Sequence, residues 1–380
     1  MYLQYGDETV LADMYDNMSS YINFLKTTKN AQGIVQDGPL GDWLGPENSM
    51  NESAYLWQCY YLYDLDIMRK TAKILGKEDD EKAFTEEYET ARKAFVDTYR
   101  DPETGKSVFS CKESAMSLNS PFEAGEKQET PKKTVSGKYL IDTQTSYAVP
   151  LGLGLYTEEE KKLAANYLNE ACTRPTVDDL HEERKPYTLM TGFIGTSWIS
   201  QALSENGLHE TAWRMLKETS YPSWLYPVKN GATTIWERLN SYTVENGFGG
   251  NNSMNSFNHY SFGAVGTWML AYAGGIRRDE KPGTFRISPV PDPDKDIHWV
   301  NTTVQTVSGE YKVNWEITEQ GISYSFYIPG GRKTPVDLPM SRSQAEALRD
   351  AMEQDKRFEN IVVDEKGLSF VAVPGNYVMR

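Results

Sequence analysis

The strongest constraint on this fold is a change of hydrophobic period near Lys281-Pro282-Gly283. Before it, apolar residues recur at helical spacing. Leu11, Met14, Met18, Ile22 and Leu25 form one stripe over Leu11–Lys26. Leu56, Cys59, Tyr60, Tyr63, Ile67 and Leu75 form another over Tyr55–Leu75, stopped by Gly76. Phe84, Tyr88, Ala91, Phe95 and Tyr99 mark a charged amphipathic helix over Asp80–Arg100. Further helices are predicted over Thr145–Leu155, from the Thr157 N-cap to Glu170, over Gly192–Ser204, over Leu208–Glu218 and over His259–Ala273. The polar stretch 105–137 reads as a long loop. That makes eight helices in head-to-tail succession. Such a run predicts an α/α toroid, about four helices short of the twelve that six hairpins provide.

After Gly283 the period falls to about two. Phe285–Ile287, Val304–Val307, Tyr311–Ile317 and Ile322–Ile328 read as strands, as do Ile361–Val363, Leu368–Val373 and Tyr377–Met379. One amphipathic helix, Ser341–Gln354, interrupts them. The fold expected is therefore mainly α with a β domain: an (α/α)6-type toroid over 1–280 and an antiparallel β-sandwich over 281–380.

Composition narrows the function. With 39 basic and 54 acidic residues the net charge is −15, which repels phosphate backbones and anionic lipid, so neither nucleic acid nor a membrane surface is an expected partner. No apolar run approaches the length of a membrane span. The opening MYLQYGDETV has neither the basic nor the apolar region of a signal peptide, and the compartment stays open: cytoplasmic for a complete chain, periplasmic or secreted for a fragment. The three cysteines, Cys59, Cys111 and Cys172, lie far apart and give no disulfide framework. No metal-ligand spacing or cofactor motif occurs, so no cofactor is expected.

Two stretches do not look like core. One is Asp37–Gly45, which contains Asp42 and Trp43. The other runs from Gly231 to Tyr242, with Trp236, Glu237 and Arg238, and is followed by Met254–Tyr260 with Asn258 and His259. Both mix indoles with carboxylate and amide groups. Sugars bind such mixtures, since an aromatic face meets C–H bonds while acids and amides meet hydroxyls. Singly, each residue has a plainer reading: Trp43 as packing, Glu237 with Arg238 as an ion pair, His259 as a satisfied histidine. Together they favour a glycan pocket. With only four histidines in the chain, an epimerase using paired histidines is a weaker reading, as is a polysaccharide lyase.

GATTIWERLNSY (231–242) and MNSFNHYSFGAVGTW (254–268) resemble signature segments of the glycoside hydrolase family 78 α-L-rhamnosidases. YGDETVL, GDWL, TGFIGT, SYPSWLY and FRISPV follow in the family's order, over nearly the whole chain apart from 105–137 and the Ser341–Gln354 helix. The resemblance implies hydrolysis of terminal α-L-rhamnose with inversion, one carboxylic acid protonating the leaving oxygen and a carboxylate on the opposite face activating water. It places the general base on Glu237 and puts His259 in the same pocket. Trp43, Trp236 and Trp224 would flank the sugar, Asp42 and Asn258 would meet it, and Arg238 would orient Glu237 and keep it ionised.

The family's acid lies in a stretch reading roughly DxPxRxERxGWxGD, and no such stretch occurs here. The expectation is thus the C-terminal portion of such an enzyme, carrying the base half of the site and inactive on its own. The alternative is a carbohydrate-binding remnant. Asp37, Asp42, Glu47, Glu52 and Glu245 lie near the candidate loops, and no motif around them argues for a raised pKa. Apolar flanks left open by the absent hairpins predict a homo-oligomer.

Overall fold

A computed structural model describes residues 1–38, 41–47, 50–116, 132–179, 181–248 and 254–380. Of the long loop expected over 105–137, residues 117–131 lie outside them, and Lys112–Met116 is a short helix. The chain divides into two compact units, one of Asp13–Val265 and one of Met1–Ala12 with Gly266–Arg380.

In the first unit consecutive helices pair as hairpins. Ser53–Ile74 packs on Glu78–Tyr99, Gln144–Gly152 on Glu158–Thr173, and Ile199–Glu205 on His209–Lys217. The first pair turns through Gly76 at φ 68°, a left-handed position that glycine adopts without Cβ strain. Its interface is aromatic, with Tyr55 meeting Phe95 and Tyr99 at ring separations of 5.3 and 5.1 Å. The Tyr55 hydroxyl donates to the Ser146 carbonyl at 2.6 Å, which ties this hairpin to the next. Thr143 and Thr157 each close a capping box at the start of the Gln144–Gly152 and Glu158–Thr173 helices. The helix expected over Gly192–Ser204 is instead two short ones, Phe193–Thr196 and Ile199–Glu205. Four short elements of this unit had no clear sequence signal: the Lys112–Met116 helix, the paired strands β1 (Thr176–Val177) and β2 (Glu183–Arg184), and the Leu225–Lys229 helix. The Thr9–Thr27 helix leaves Met14, Tyr21 and Phe24 exposed, the kind of apolar surface on which the expected self-association rested.

The single helix expected over His259–Ala273 begins later and is not uniform. Ser261–Ala264 is 3₁₀, Val265–Trp268 is α and Met269–Ala273 is π. Gly274 donates to the Met269 carbonyl, and a Cβ there would lie 2.3 Å from the Thr302 hydroxyl. The wide last turn therefore ends where only glycine fits.

The second unit holds two sheets. One has the order β3 (Ile276–Arg278), β4 (Phe285–Ile287), β8 (Thr334–Pro339), β10 (Gly367–Ala372) and β9 (Phe358–Asp364). The other has the order β11 (Gly375–Met379), β7 (Gly321–Ile328), β6 (Gly309–Thr318) and β5 (Trp299–Thr306). All pairings are antiparallel except β4 with β8, where Ile287 meets Val336 in parallel. Alternate residues supply the core: Tyr311, Val313 and Trp315 from β6, Tyr324, Phe326 and Ile328 from β7, Val336 and Leu338 from β8. The inserted helix is Arg342–Met352, capped by the Ser341 side chain.

Candidate active site

The candidate residues of the first unit are brought together by loops laced to one another. The Ile235–Arg238 segment lies along the Ser256–His259 segment. His259 N donates to the Ile235 carbonyl at 2.8 Å, and Glu237 N donates to the Ser256 carbonyl at 2.8 Å. In return the Ser256 amide donates to Glu237 Oε2 at 2.7 Å. Ser241 and Asn255 bond each other further along the same pair of loops. Glu237 is thus fixed by backbone on both sides. It keeps 8% of its surface, and among the described residues its Oε1 receives no hydrogen bond.

His259, on the paired segment, stands half-buried. Its ring stacks on Phe193 at 4.8 Å with a 20° interplanar angle, and on its neighbour Tyr260 at 5.5 Å and 7°. The Ser261 amide reaches Nδ1 at 3.4 Å, so Nδ1 is the acceptor and the ring proton belongs on Nε2. Phe193 comes from the TGFIGT segment, and its amide donates to the Trp43 carbonyl at 3.0 Å. Trp43, Phe193, His259 and Glu237 are therefore linked in one chain of contacts.

Asp42 makes that chain possible in a way its sequence position did not suggest. It was expected to meet the sugar, but it is fully buried. Its carboxylate accepts from Gly192 N at 2.7 Å, from Gly195 N at 2.9 Å and from the Thr145 hydroxyl. Burial pushes its pKa up, and those donors oppose the push. It is a positioning residue that clamps the Trp43 loop to the Phe193 turn. Gly192 permits the approach, since a Cβ there would lie 2.3 Å from the Asp42 carbonyl oxygen.

Three other expectations are corrected by burial or hydrogen bonding. Trp224 is buried and its indole donates to the Phe262 carbonyl at 2.9 Å, so it supports the loop rather than facing a ligand. Trp236 is 6% exposed and meets Phe257 edge to face at 5.2 Å, which leaves little ring surface for a sugar. Arg238 sends Nε to the Met254 carbonyl at 3.0 Å, and the donor that orients Glu237 is the Ser256 amide. Asn258 is exposed, with its backbone amide bonded to the Ser256 hydroxyl at 3.2 Å. The contacts of Phe193, Ser256 and Tyr260 went unread in the sequence; Phe193 at least lay inside a recurring motif.

Nor did the sequence signal the acids whose pKa burial raises. Glu47 is buried, and desolvation lifts it to about 7 against the help of the Thr176 hydroxyl, the Arg174 charge and the Gln144 amide, while Asp179 adds to the rise. A carboxyl raised in the folded state holds its proton there after the unfolded chain has lost its own. Its contribution is fully present below about pH 4.5 and is lost as pH rises to about 7. The loss is on the order of 3 kcal/mol. Glu47→Gln should therefore gain several degrees in Tm over the wild type at pH 8 relative to the same comparison at pH 5. Thermal unfolding at the two pH values checks this, and an identical difference at both would exclude it.

Among the described residues no group of three or more His, Cys, Asp or Glu could hold a metal ion, and no helix is long and apolar enough to cross a membrane. Cys59 and Cys172 are buried free thiols with pKa values pushed up by burial, and Cys111 is exposed.

Comparison with known proteins gives a consistent result. Residues 1–273 match the bacterial alpha-L-rhamnosidase 6 hairpin glycosidase domain, and 275–352 match the bacterial alpha-L-rhamnosidase C-terminal domain. An alpha-L-rhamnosidase of Formosa agariphila is 28% identical over 99% of this chain and 37% of its own length. One from Alteromonas sp. is 27% identical over 96% of this chain and 37% of its own. The fold is that of the Streptomyces avermitilis alpha-L-rhamnosidase solved with L-rhamnose, at TM-score 0.77 and 24% identity, over 99% of this chain and 31% of that one. It is also that of the Aspergillus terreus enzyme, at TM-score 0.74 and 22% identity, over 100% of this chain and 37% of that one. The chain spans a little over a third of the length of the curated relatives it matches. On these matches and on the fold, the chain belongs to the six-hairpin bacterial α-L-rhamnosidase family.

Proposed function

We propose that this chain carries the water-activating half of an inverting α-L-rhamnosidase site, with Glu237 as general base. The observation that carries the reading is the state of the Glu237 carboxylate. One oxygen is held by the Ser256 amide, the other receives no hydrogen bond among the described residues, and the His259 amide is bonded two residues away, to the Ile235 carbonyl. A base needs that arrangement: a fixed carboxylate with one lone pair available to a water proton. The water would attack the anomeric carbon from the face opposite the leaving oxygen. Glu237 takes its proton while a separate carboxylic acid protonates the departing group. His259 offers Nε2–H to a sugar hydroxyl, and Asn258 offers its amide. Trp43 lines the same loop cluster. The substrate class, a terminal α-L-rhamnoside on a glycan or smaller glycoside, follows from the names of the relatives. The acid is not assigned to any of residues 1–380.

Following the anomeric protons by ¹H NMR tests the proposal. The 380-residue chain is assayed on 4-nitrophenyl α-L-rhamnoside alone and joined to the N-terminal portion of the Formosa agariphila relative. The joined polypeptide should release β-L-rhamnose first, with the α-anomer growing in by mutarotation, and the chain alone should bind L-rhamnose without turnover. Release of the α-anomer first, or no binding and no hydrolysis by either form, would count against it.

A further inference from the structure

We propose that an exposed stripe on the Thr9–Thr27 helix, with Asp64 beside it, docks a helix that carries a lysine or arginine among apolar residues. The sequence writes two stripes along this helix. Tyr15, Met18, Ile22 and Leu25 turn into the unit's own core, where Tyr15, Ile22 and Leu25 are buried and Met18 packs against them. Met14, Asn17, Tyr21 and Phe24 repeat the same spacing one residue earlier. Met14, Tyr21 and Phe24 are 44, 53 and 50% exposed, and the Tyr21 and Phe24 rings stack at 6.4 Å. Residues three and four apart form the seam along which one helix meets another, and a single asparagine in a seam sets register. The three long helix pairs of this unit are hairpins, and among the described residues Thr9–Thr27 has no such mate.

Asp64 decides the chemistry. It lies half-buried on the Ser53–Ile74 helix. Burial, then the charges of Asp64 and Asp37, raise the Tyr21 phenol, so the Asp64 carboxylate stands beside the stripe. Burial lifts three carboxyls among the described residues. Asp42 is met by the Gly192 and Gly195 amides, and Glu47 by the Thr176 hydroxyl and the Arg174 charge. Asp64, pushed up to about 6, has nothing to oppose the push: no donor and no cation among the described residues. Carboxylates taken out of water are normally paired. A cation arriving with apolar neighbours would pair with Asp64 while covering Met14, Tyr21 and Phe24. A second copy of the chain would instead bring Asp13 and Asp16 of the same helix, on a body of net charge −15. This chain covers 37% of the Formosa agariphila relative, so that polypeptide has the length to supply such a helix. The source of the helix, the portion that brings the acid, rests on the proposed function; the need for a cation at Asp64 does not.

The test compares melting and hydrogen exchange in the chain alone and in the polypeptide joined to the N-terminal portion of that relative. Amides of the Thr9–Thr27 helix should exchange at least tenfold more slowly after joining. Asp64→Asn should raise the Tm of the chain alone at pH 8, since it removes a carboxylate that burial disfavours. In the joined polypeptide the same change should lower the Tm, because the partner's cation loses its acceptor. Tyr21→Gln with Phe24→Gln should leave the chain alone unchanged and lower the joined Tm by about 5 °C or more. No sugar enters these measurements, and Glu237→Gln should not alter them, so the base assignment can fail separately. Equal exchange in both forms, or an Asp64→Asn effect of one sign in both, would overturn the proposal. So would sedimentation showing a dimer of the chain alone that the Tyr21 and Phe24 changes dissociate.

Discussion

Replacing Asp42 by alanine is expected to lower the Tm by about 10 °C. The carboxylate is fully buried, and it is an acceptor for the Gly192 and Gly195 amides and the Thr145 hydroxyl. Alanine leaves those donors without an acceptor where water does not replace it. Each orphaned buried donor costs about 1–3 kcal/mol. Against this, the burial cost that raises the Asp42 pKa is relieved, so the net loss is about 3 kcal/mol. At about 2–4 °C per kcal/mol for a unit of this size, that is near 10 °C. Asp42→Asn should lose roughly half as much, because its carbonyl keeps one acceptor while its amide group faces an amide donor. Both variants should also weaken L-rhamnose binding, since the clamp sets Trp43 against Phe193 and Phe193 against His259. Circular-dichroism melting of the three proteins checks the order. An alanine variant that melts within 2 °C of wild type would mean that Asp42 is not the clamp described.

The same residue marks the boundary of what the sequence made legible. Local periodicity gave the long helices nearly to their ends: Tyr55–Leu75 was expected and Ser53–Ile74 is found. Alternation likewise gave seven of the nine strands β3–β11, because a half-buried strand writes its buried face at every second residue, while β3 and β8 went unread. Asp42, by contrast, takes its donors from residues 103, 150 and 153 positions away. Nothing near GDWL announces them, so an acid beside a tryptophan read as a ligand contact. Trp224 misled for the same reason, since its partner is the carbonyl of Phe262, 38 positions on. The parallel pairing of β4 with β8 joins Ile287 to Val336, and no short-range pattern encodes such a crossing. Gly192–Ser204 failed differently: apolar spacing continued through it, while the Asp42 clamp and the tight seat of Gly195 against Thr145 split the helix in two. Glu237 and His259 stood out because the recurring motifs carried them. The Ser256 amide that holds Glu237 did not, because backbone donors leave no trace in residue type.

The central claim concerns the free oxygen of Glu237, and Glu237→Gln tests it most directly. Glutamine keeps the shape of the side chain, and its carbonyl can still accept the Ser256 amide. What it cannot do is take a proton from water. General-base assistance contributes about 10²–10⁴-fold, so kcat on 4-nitrophenyl α-L-rhamnoside, measured in the joined polypeptide, should fall about 10³-fold, worth about 4 kcal/mol of barrier. Since water activation belongs to the transition state, L-rhamnose affinity should stay within about threefold of wild type. A variant that keeps its affinity and turns over within tenfold of wild type would contradict the assignment of the base to Glu237.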